Sequence, residues 1–480
     1  MVGITGYGAY VPRLRLSRQA VYDANKWFAP GLRGQAKGER AMANWDEDSI
    51  TMGVEAARDC LNGTDPKSLR NLFFASTTLP FKDRQNAGVI GTALTVEDGL
   101  MASDVAGSQK AGTSALIAGL TAAKSGAPTM VVAAEKRMAR VASANELQFG
   151  DGAAAMLCGT DKVIAKLLAH HSVSMDFVDH FRGEDADFDY TWEERWIRDE
   201  GYVKIVPPAV KAALAAANLK GADINHFIMP ALMAAIPKQM AKMSGVADAA
   251  VRDNLGANLG DTGSAHALVV LAHTLESAKA GERIMVLAFG QGLDVVILEV
   301  TEEITKLSKR RGVSGWLARG KAETNYMKFL AFNDMLPIEK GMRAEFDKKT
   351  AQSVLWRKRD MIYGLVGGKC RVCGTAQFPR TQVCVNPNCH ATDSQDPYPM
   401  QGLEAAVMSF TADSLTYSPD PPAYYGMITF PEGGRFMADF TDSDKDQVKV
   451  GAKMRMTFRI RDNDEMRGGF KRYFWKAAPA

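Results

Sequence analysis

Residues 108–137 read SQKAGTSALIAGLTAAKSGAPTMVVAAEKR, and residues 260–292 read GDTGSAHALVVLAHTLESAKAGERIMVLAFGQG. Each runs from a Gly/Ser turn into an Ala-rich apolar helix, stops at Lys-(Ser/Ala)-Gly and continues into a buried strand. Any strand–helix–strand unit resembles another to some degree, but the shared order of small residues points to a duplicated core. Working outward, NLFFAST (71–77), TMVVAAE (129–135), INHFIMP (224–230) and RIMVLAFG (283–290) are short apolar runs alternating with helical stretches. This pattern predicts an α/β fold with a largely parallel or mixed sheet covered on both faces.

A chain of 480 residues is too long for one ordinary domain, and two or three are expected. With 46% hydrophobic and 24% charged residues it has enough apolar mass for a large core. The net charge of +3 argues against a general nucleic-acid or membrane-surface binder, while leaving room for a local basic patch for a phosphorylated ligand. No apolar run approaches the roughly 20 residues of a membrane span. MVGITGYGAYVPRLRL reads as a strand and turn, not a signal peptide, so a cytoplasmic protein is expected.

Past residue 300 the composition shifts. Residues 301–345 are charged and read as a linker with helical pieces, and 346–368 as a basic amphipathic helix whose charges form a solvated face. Cys370-x2-Cys373 and Cys384-x4-Cys389 place four thiols within 20 residues. In a reducing compartment that spacing reads as metal ligation, and two thiolate pairs suit tetrahedral zinc at a closed, structural site. His390, beside Cys389, is the alternative ligand. Beyond 400, LEAAVMSFTADSL, AYYGMITFPEGGRFMADFTD, QVKVGAKMRMTFRIRD and GFKRYFWK are short β runs with turns, as in a small barrel.

CRVCGTAQFPRTQVC, LEAAVMSFT, PPAYYGMITFPEGGRFMADFTD and YFWK resemble the zinc-ribbon/OB-fold family that accompanies thiolase-like enzymes. VGITGYGAYVPRLRL, DVAGSQKAGTSAL (104–116), ELQFGDGAAAMLCG (146–159), FIMP (227–230), GDTGSA (260–265) and FGQGLD (289–294) resemble, in family order, HMG-CoA synthases and more distantly type III ketoacyl synthases of the thiolase superfamily. The resemblance implies a five-layered αβαβα fold with duplicated halves, a homodimer and acyl-CoA chemistry. The expected division is 1–160 and 161–300 for the two thiolase-like halves and 301–345 for the linker. Helix and zinc ribbon take 346–398, and the OB-like barrel takes 399–480.

That family carries a Cys at a strained turn before a buried helix, where the helix dipole favours thiolate. Counting back from Ala111-Gly112-Thr113, the nucleophile position holds Gln109, whose amide cannot form a thioester; Ser108 is its neighbour. The resemblance puts Thr77 at the general-base glutamate, Ile228 at the histidine and Asp261 at the asparagine of the oxyanion-hole loop. His266, about one turn past Asp261, is either a general base paired with it or a satisfied core histidine. Tyr190, Trp192 and Trp196 lie where the family carries a lid. Lys238 and Lys242 match a segment that supplies a lysine toward CoA phosphates.

Three functions compete. Aldol or retro-aldol chemistry on an acyl-CoA needs a base and carbonyl polarisation but no thiol, and is compatible with a thiolase partner. A non-catalytic acyl-CoA-binding scaffold of a thiolase complex would leave the site a relic. An HMG-CoA-synthase-type acyltransferase is what homology alone suggests, and the altered positions argue against it.

Overall fold

The computed structural model describes residues 1–345 and 351–480. It divides into two compact units: Met1–Asn44, Asp48–Gly88 and Glu97–Asn333 form the first, and Trp45–Glu47, Val89–Val96 and Asp334–Ala480 the second.

The first unit is built on nine strands: β1 (Gly3–Tyr10), β2 (Asn71–Ala75), β3 (Met101–Val105), β4 (Thr129–Glu135), β5 (Gly152–Gly159), β6 (Ala165–Ser174), β7 (His226–Ile228), β8 (Arg283–Phe289) and β9 (Gly292–Val300). They are hydrogen-bonded in the order β7-β8-β9-β6-β1-β5-β4-β2-β3. Strands β1 to β5 fill one half of the order and β6 to β9 the other. The two halves are joined by the short pairing of Gly3 and Ile4 with Lys166 and Ala165. Five helices matter: α1 (Ser49–Leu61), α2 (Ala111–Ala123), α3 (Val203–Ala216), α4 (Ile236–Met243) and α5 (His266–Leu275).

The duplicated stretches become α2-β4 and α5-β8. Helices α2 and α5 touch one another, and each touches strands of both halves. Helices in that position are largely covered, which is why α2 is rich in Ala, Gly and Leu, α5 in Ala, Val and Leu, and neither carries a charged stripe. Helix α1 packs on strands of the first half and α3 on strands of the second, giving the order α, β, α, β, α. Asp48 caps α1 by accepting from the Thr51 amide, and Thr51 Oγ1 accepts in return from the Asp48 amide.

The stretch expected as a linker over 301–345 is instead part of the first unit as far as Asn333. Gly312–Ala318 and Tyr326–Phe332 are helical, and Lys321–Glu323 pairs in parallel with Leu14–Leu16. Its charges mislead because they face outward, while Val313, Trp316, Phe329 and Phe332 are buried and Tyr326 donates to Glu146 at 2.6 Å.

In the second unit, residues 346–350 of the expected basic helix lie outside the described residues. The remainder of that stretch forms two short helices, Gln352–Arg357 and Arg359–Ile362, and then enters β10 (Val366–Cys370). The glycines force the change: a Cβ on Gly367 would stand 2.5 Å from the Gln377 carbonyl oxygen of the neighbouring strand. β10 lies between β11 (Ala376–Gln377) and β12 (Gln395–Pro399) in the ribbon. The barrel strands β13 (Ala405–Asp413), β14 (Ala423–Thr429), β15 (Arg435–Asp439), β16 (Lys453–Asp464) and β17 (Phe470–Pro479) run in the order β15-β14-β13-β16-β17. A parallel bridge from Phe440 to Ala477 draws the two edges together.

Candidate active site and metal centre

Gln109 sits on the turn that opens α2. Ser108 donates to the Gly290 carbonyl at 2.7 Å, fixing that turn against the end of β8. A Cβ on Gly290 would fall 3.0 Å from the Gln109 nitrogen and 2.7 Å from Ser108 Oγ, so the approach requires glycine. Gly263, with φ of +54°, brings the loop before α5 equally close: a Cβ there would meet Gln109 Oε1 at 2.8 Å and Arg137 Cδ at 3.0 Å.

Behind these turns the polar side chains form one connected patch. Arg137, just past β4, donates to Asp261 at 2.6 Å and to Asp189 at 3.1 Å, and its guanidinium lies 3.4 Å from the Phe149 ring centre. Arg182 donates to Asp189 at 2.8 Å and to the Thr77 carbonyl. Thr77 donates to the fully buried Glu135 from its amide at 2.7 Å and from its hydroxyl at 3.0 Å; Thr78 and Ser264 donate to the same carboxylate. Thr77 and Asp261, far apart in sequence, thus meet through Arg182, Asp189 and Arg137.

Asp261 is held in place by backbone pairing with Gln148 and Gly150. Burial pushes its carboxyl up, but His266, Arg137 and the Gly263 amide outweigh that and leave it below the ordinary carboxylate range. His266 is 2% exposed. Its Nδ1 accepts from the Thr262 amide at 3.0 Å and its Nε2 donates to the Asn254 carbonyl at 2.8 Å. Both nitrogens are occupied, and burial lowers its basicity against the pull of Asp261. The general-base role weighed for His266 has no free nitrogen to perform it. Ile228 is fully buried on β7, opposite Val286.

The ring that does reach Gln109 is His180, which no motif flags. Its Nε2 lies 3.2 Å from Gln109 Nε2 and its Nδ1 lies 3.1 Å from Asp179 Oδ1. It belongs to a short hairpin in which His180 pairs with Thr191 and Phe181 with Tyr190. Burial pushes the nearby Tyr202 hydroxyl up, and the charges of Asp179 and Asp261 add to that. A signal for these residues was present but weak: Glu135 and Arg137 close the duplicated stretch at a strand's C-terminal end, and Asp179 to Asp189 is unusually charged. Tyr190 and Trp192 are exposed, while Trp196 stacks on Phe177 at 4.4 Å.

A cavity of about 590 Å³ opens beside Asp261. Its wall carries Arg18, Lys37, Lys238 and Arg252 against only Asp253 and Asp261, so it is electropositive. Lys238 lines it; Lys242, one turn further along α4, does not. None of the six cysteines lies at this site. Cys60 and Cys158 are buried, with burial pushing the Cys60 thiol up to about 12, and the other four are in the ribbon.

In the ribbon, the sulfurs of Cys370, Cys373, Cys384 and Cys389 all lie within 4.8 Å of one another. Cys370 to Cys389 is 3.9 Å and Cys373 to Cys384 is 3.6 Å. A tetrahedron with Zn–S bonds of about 2.3 Å has edges of about 3.8 Å, so the four thiols fit zinc as placed and leave no open position. The Ser394 hydroxyl beside Cys370 holds that thiol down, while, against the backbone amides of Asn386 and Ala391, crowding with the other sulfurs pushes the Cys384 and Cys389 thiols up, the repulsion a bound cation would relieve.

Three family models match parts of the chain. The 3-oxoacyl-[acyl-carrier-protein] synthase III C-terminal domain covers residues 214–300, the ChsH2 rubredoxin-like zinc ribbon 360–394, and the ChsH2 C-terminal OB-fold domain 398–459. Fold and thiol cluster together define a thiolase-like α/β protein carrying a zinc ribbon and an OB-fold domain. Within that class the chain is similar to hydroxymethylglutaryl-CoA synthases. That of Pyrococcus horikoshii is 29% identical, covering 68% of this chain and 97% of the relative. That of Aeropyrum pernix is 29% identical, covering 70% and 96%. Among solved structures, an HMG-CoA synthase complexed with CoA superposes with a TM-score of 0.60 at 15% identity, over 72% of this chain and 92% of that one. The 3-oxoacyl-[acyl-carrier-protein] synthase III of Aquifex aeolicus gives 0.52 at 19% identity, over 62% and 100%.

Proposed function

We propose that the protein binds an acyl-CoA and makes or breaks a carbon–carbon bond in it by aldol or retro-aldol chemistry, without a covalent acyl-enzyme. The carrying observation is the electropositive cavity that ends on Asp261 with no thiol beside it. Arg18, Lys37, Lys238 and Arg252 suit the phosphates of CoA, the ligand of the similar HMG-CoA synthase structure. Gln109 stands where such relatives would carry a nucleophilic Cys, and an amide rules out acyl transfer through that position. Thr77, Gln109 and Asp261 keep the site polar, and Gln109 can donate to a thioester carbonyl. The protein works as a homodimer, alone or with a thiolase partner.

One observation favours a non-catalytic, acyl-CoA-binding scaffold: Asp261, Glu135 and His266 are already satisfied by protein groups. The test is the purified full chain with panels of acyl-CoAs and 3-hydroxyacyl-CoAs, read by mass spectrometry. Cleavage of a 3-hydroxyacyl-CoA into a carbonyl compound and a shorter acyl-CoA is expected. Binding without turnover would establish the scaffold, and no binding would overturn both readings.

A further inference from the structure

We propose that Asn254 reads the acyl group: its side-chain carbonyl accepts from a 3-hydroxyl, so the cavity selects 3-hydroxyacyl over 3-oxoacyl thioesters. The inference rests on the acyl-CoA reading. Asn254 lines the cavity together with Asp261 and His266. Its Nδ2 donates to the Met229 carbonyl at 3.3 Å, and turning the amide over would set oxygen against oxygen there. Oδ1 is therefore the free end, and it is buried with no hydrogen-bond partner among the described residues. A buried carbonyl oxygen without a partner is costly, so a ligand that donates to it binds the more tightly. His266 Nε2 donates to the Asn254 main-chain carbonyl at 2.8 Å and holds this segment in place, which makes the buried ring a positioning residue.

Two parts of the lining ask for opposite chemistry. Arg18 donates to the Lys37 and Gly256 carbonyls, which gathers a cationic wall suited to phosphate, and its Nε is buried there without a partner. Around His266 the lining side chains are acceptors. Asp261 Oδ1 takes the Arg137 guanidinium and the Gly263 amide, while Oδ2 makes no bond among the described residues and, like Asn254 Oδ1, can only accept. Of the groups an acyl chain carries, a thioester carbonyl, a 3-oxo group and a saturated carbon donate nothing; a 3-hydroxyl donates. A 3-oxo oxygen facing these acceptors is left unpaired and repelled, so the site rejects it as well as preferring the alcohol.

The test is titration calorimetry of the full chain with a matched series: CoA, butyryl-CoA, 3-hydroxybutyryl-CoA and acetoacetyl-CoA. It compares wild type with Asn254→Ala and, as a control, Asn258→Ala, an exposed neighbour outside the cavity lining. Wild type should bind 3-hydroxybutyryl-CoA about tenfold more tightly than butyryl-CoA or acetoacetyl-CoA. Asn254→Ala should erase that preference while binding CoA and butyryl-CoA within about threefold of wild type, and Asn258→Ala should keep it. A wild type without the preference, or an Asn254→Ala that retains it, would overturn the proposal. So would equal weakening of every ligand in the series, which would put a pantetheine amide N–H, common to them all, on Asn254 Oδ1. If Asn254→Ala does not fold, the near-isosteric Asn254→Leu is read by the same criteria, and the wild-type preference is a test without any variant. A wild type that binds none of the series would sink the acyl-CoA reading itself, a result distinct from binding without preference.

Discussion

The four-cysteine cluster and the Gln109 site are two polar centres assembled in opposite ways. Cys370, Cys373, Cys384 and Cys389 come from one ribbon with its own short strands, and their geometry is set almost entirely by local chain. Gln109, Thr77, Asp261, Arg137, Asp189 and His180 come from separate loops and strand ends, and meet because a duplicated core brings two helix starts together. The ribbon's centre is closed and complete without the rest of the chain's chemistry. The other depends on the whole first unit being folded.

Removing the metal is the most severe way to break this comparison. Structural zinc contributes about 10–16 kcal/mol of apparent binding free energy in small domains. Cys373→Ser or a strong chelator should therefore unfold the ribbon, visible as lost amide protection over 366–399, while protection over β4 and α2 remains. Arg137→Met comes next. It leaves the half-buried Asp261 without its cation and Asp189 with Arg182 alone, and a loss of about 3 kcal/mol, the lower end for a broken buried pair, is expected in denaturant unfolding. The ribbon should keep its protection in that variant.

How legible each centre was depends on the same contrast. Cysteine spacing is short-range, so it can be read directly. The α/β order and the duplicated stretches are legible because period and small-residue order are also local. Thr77, Gln109 and Asp261 were reachable only through a family resemblance. Arg137 and His180 carried only a weak local signal, a strand end and a charged stretch, because nothing in sequence says that a hairpin residue faces the start of a helix 71 positions earlier. The linker misreading over 301–333 has a similar origin. Charge density hides Trp316, Tyr326 and Phe329, whose burial depends on residues far away, such as Glu146.

Two smaller effects sharpen the picture. Asp261 has a depressed carboxyl, so its stabilising contribution is full above the ordinary value of 3.8 and is lost as pH falls below it. Wild type should lose stability there more steeply than Asp261→Asn, as thermal melts across pH 2.5–6 (a range of about that width suffices) would show. Lys238→Ala should weaken CoA binding by about threefold to tenfold at low salt, with a shallower salt dependence, whereas Lys242→Ala should leave titration calorimetry unchanged.

The central claim is carbon–carbon bond chemistry on an acyl-CoA without a thiol nucleophile. Intact-protein mass spectrometry during turnover of a 3-hydroxyacyl-CoA tests it most directly. The expected result is release of the shorter acyl-CoA while the protein mass stays unmodified. An acyl group captured covalently on the chain would contradict it.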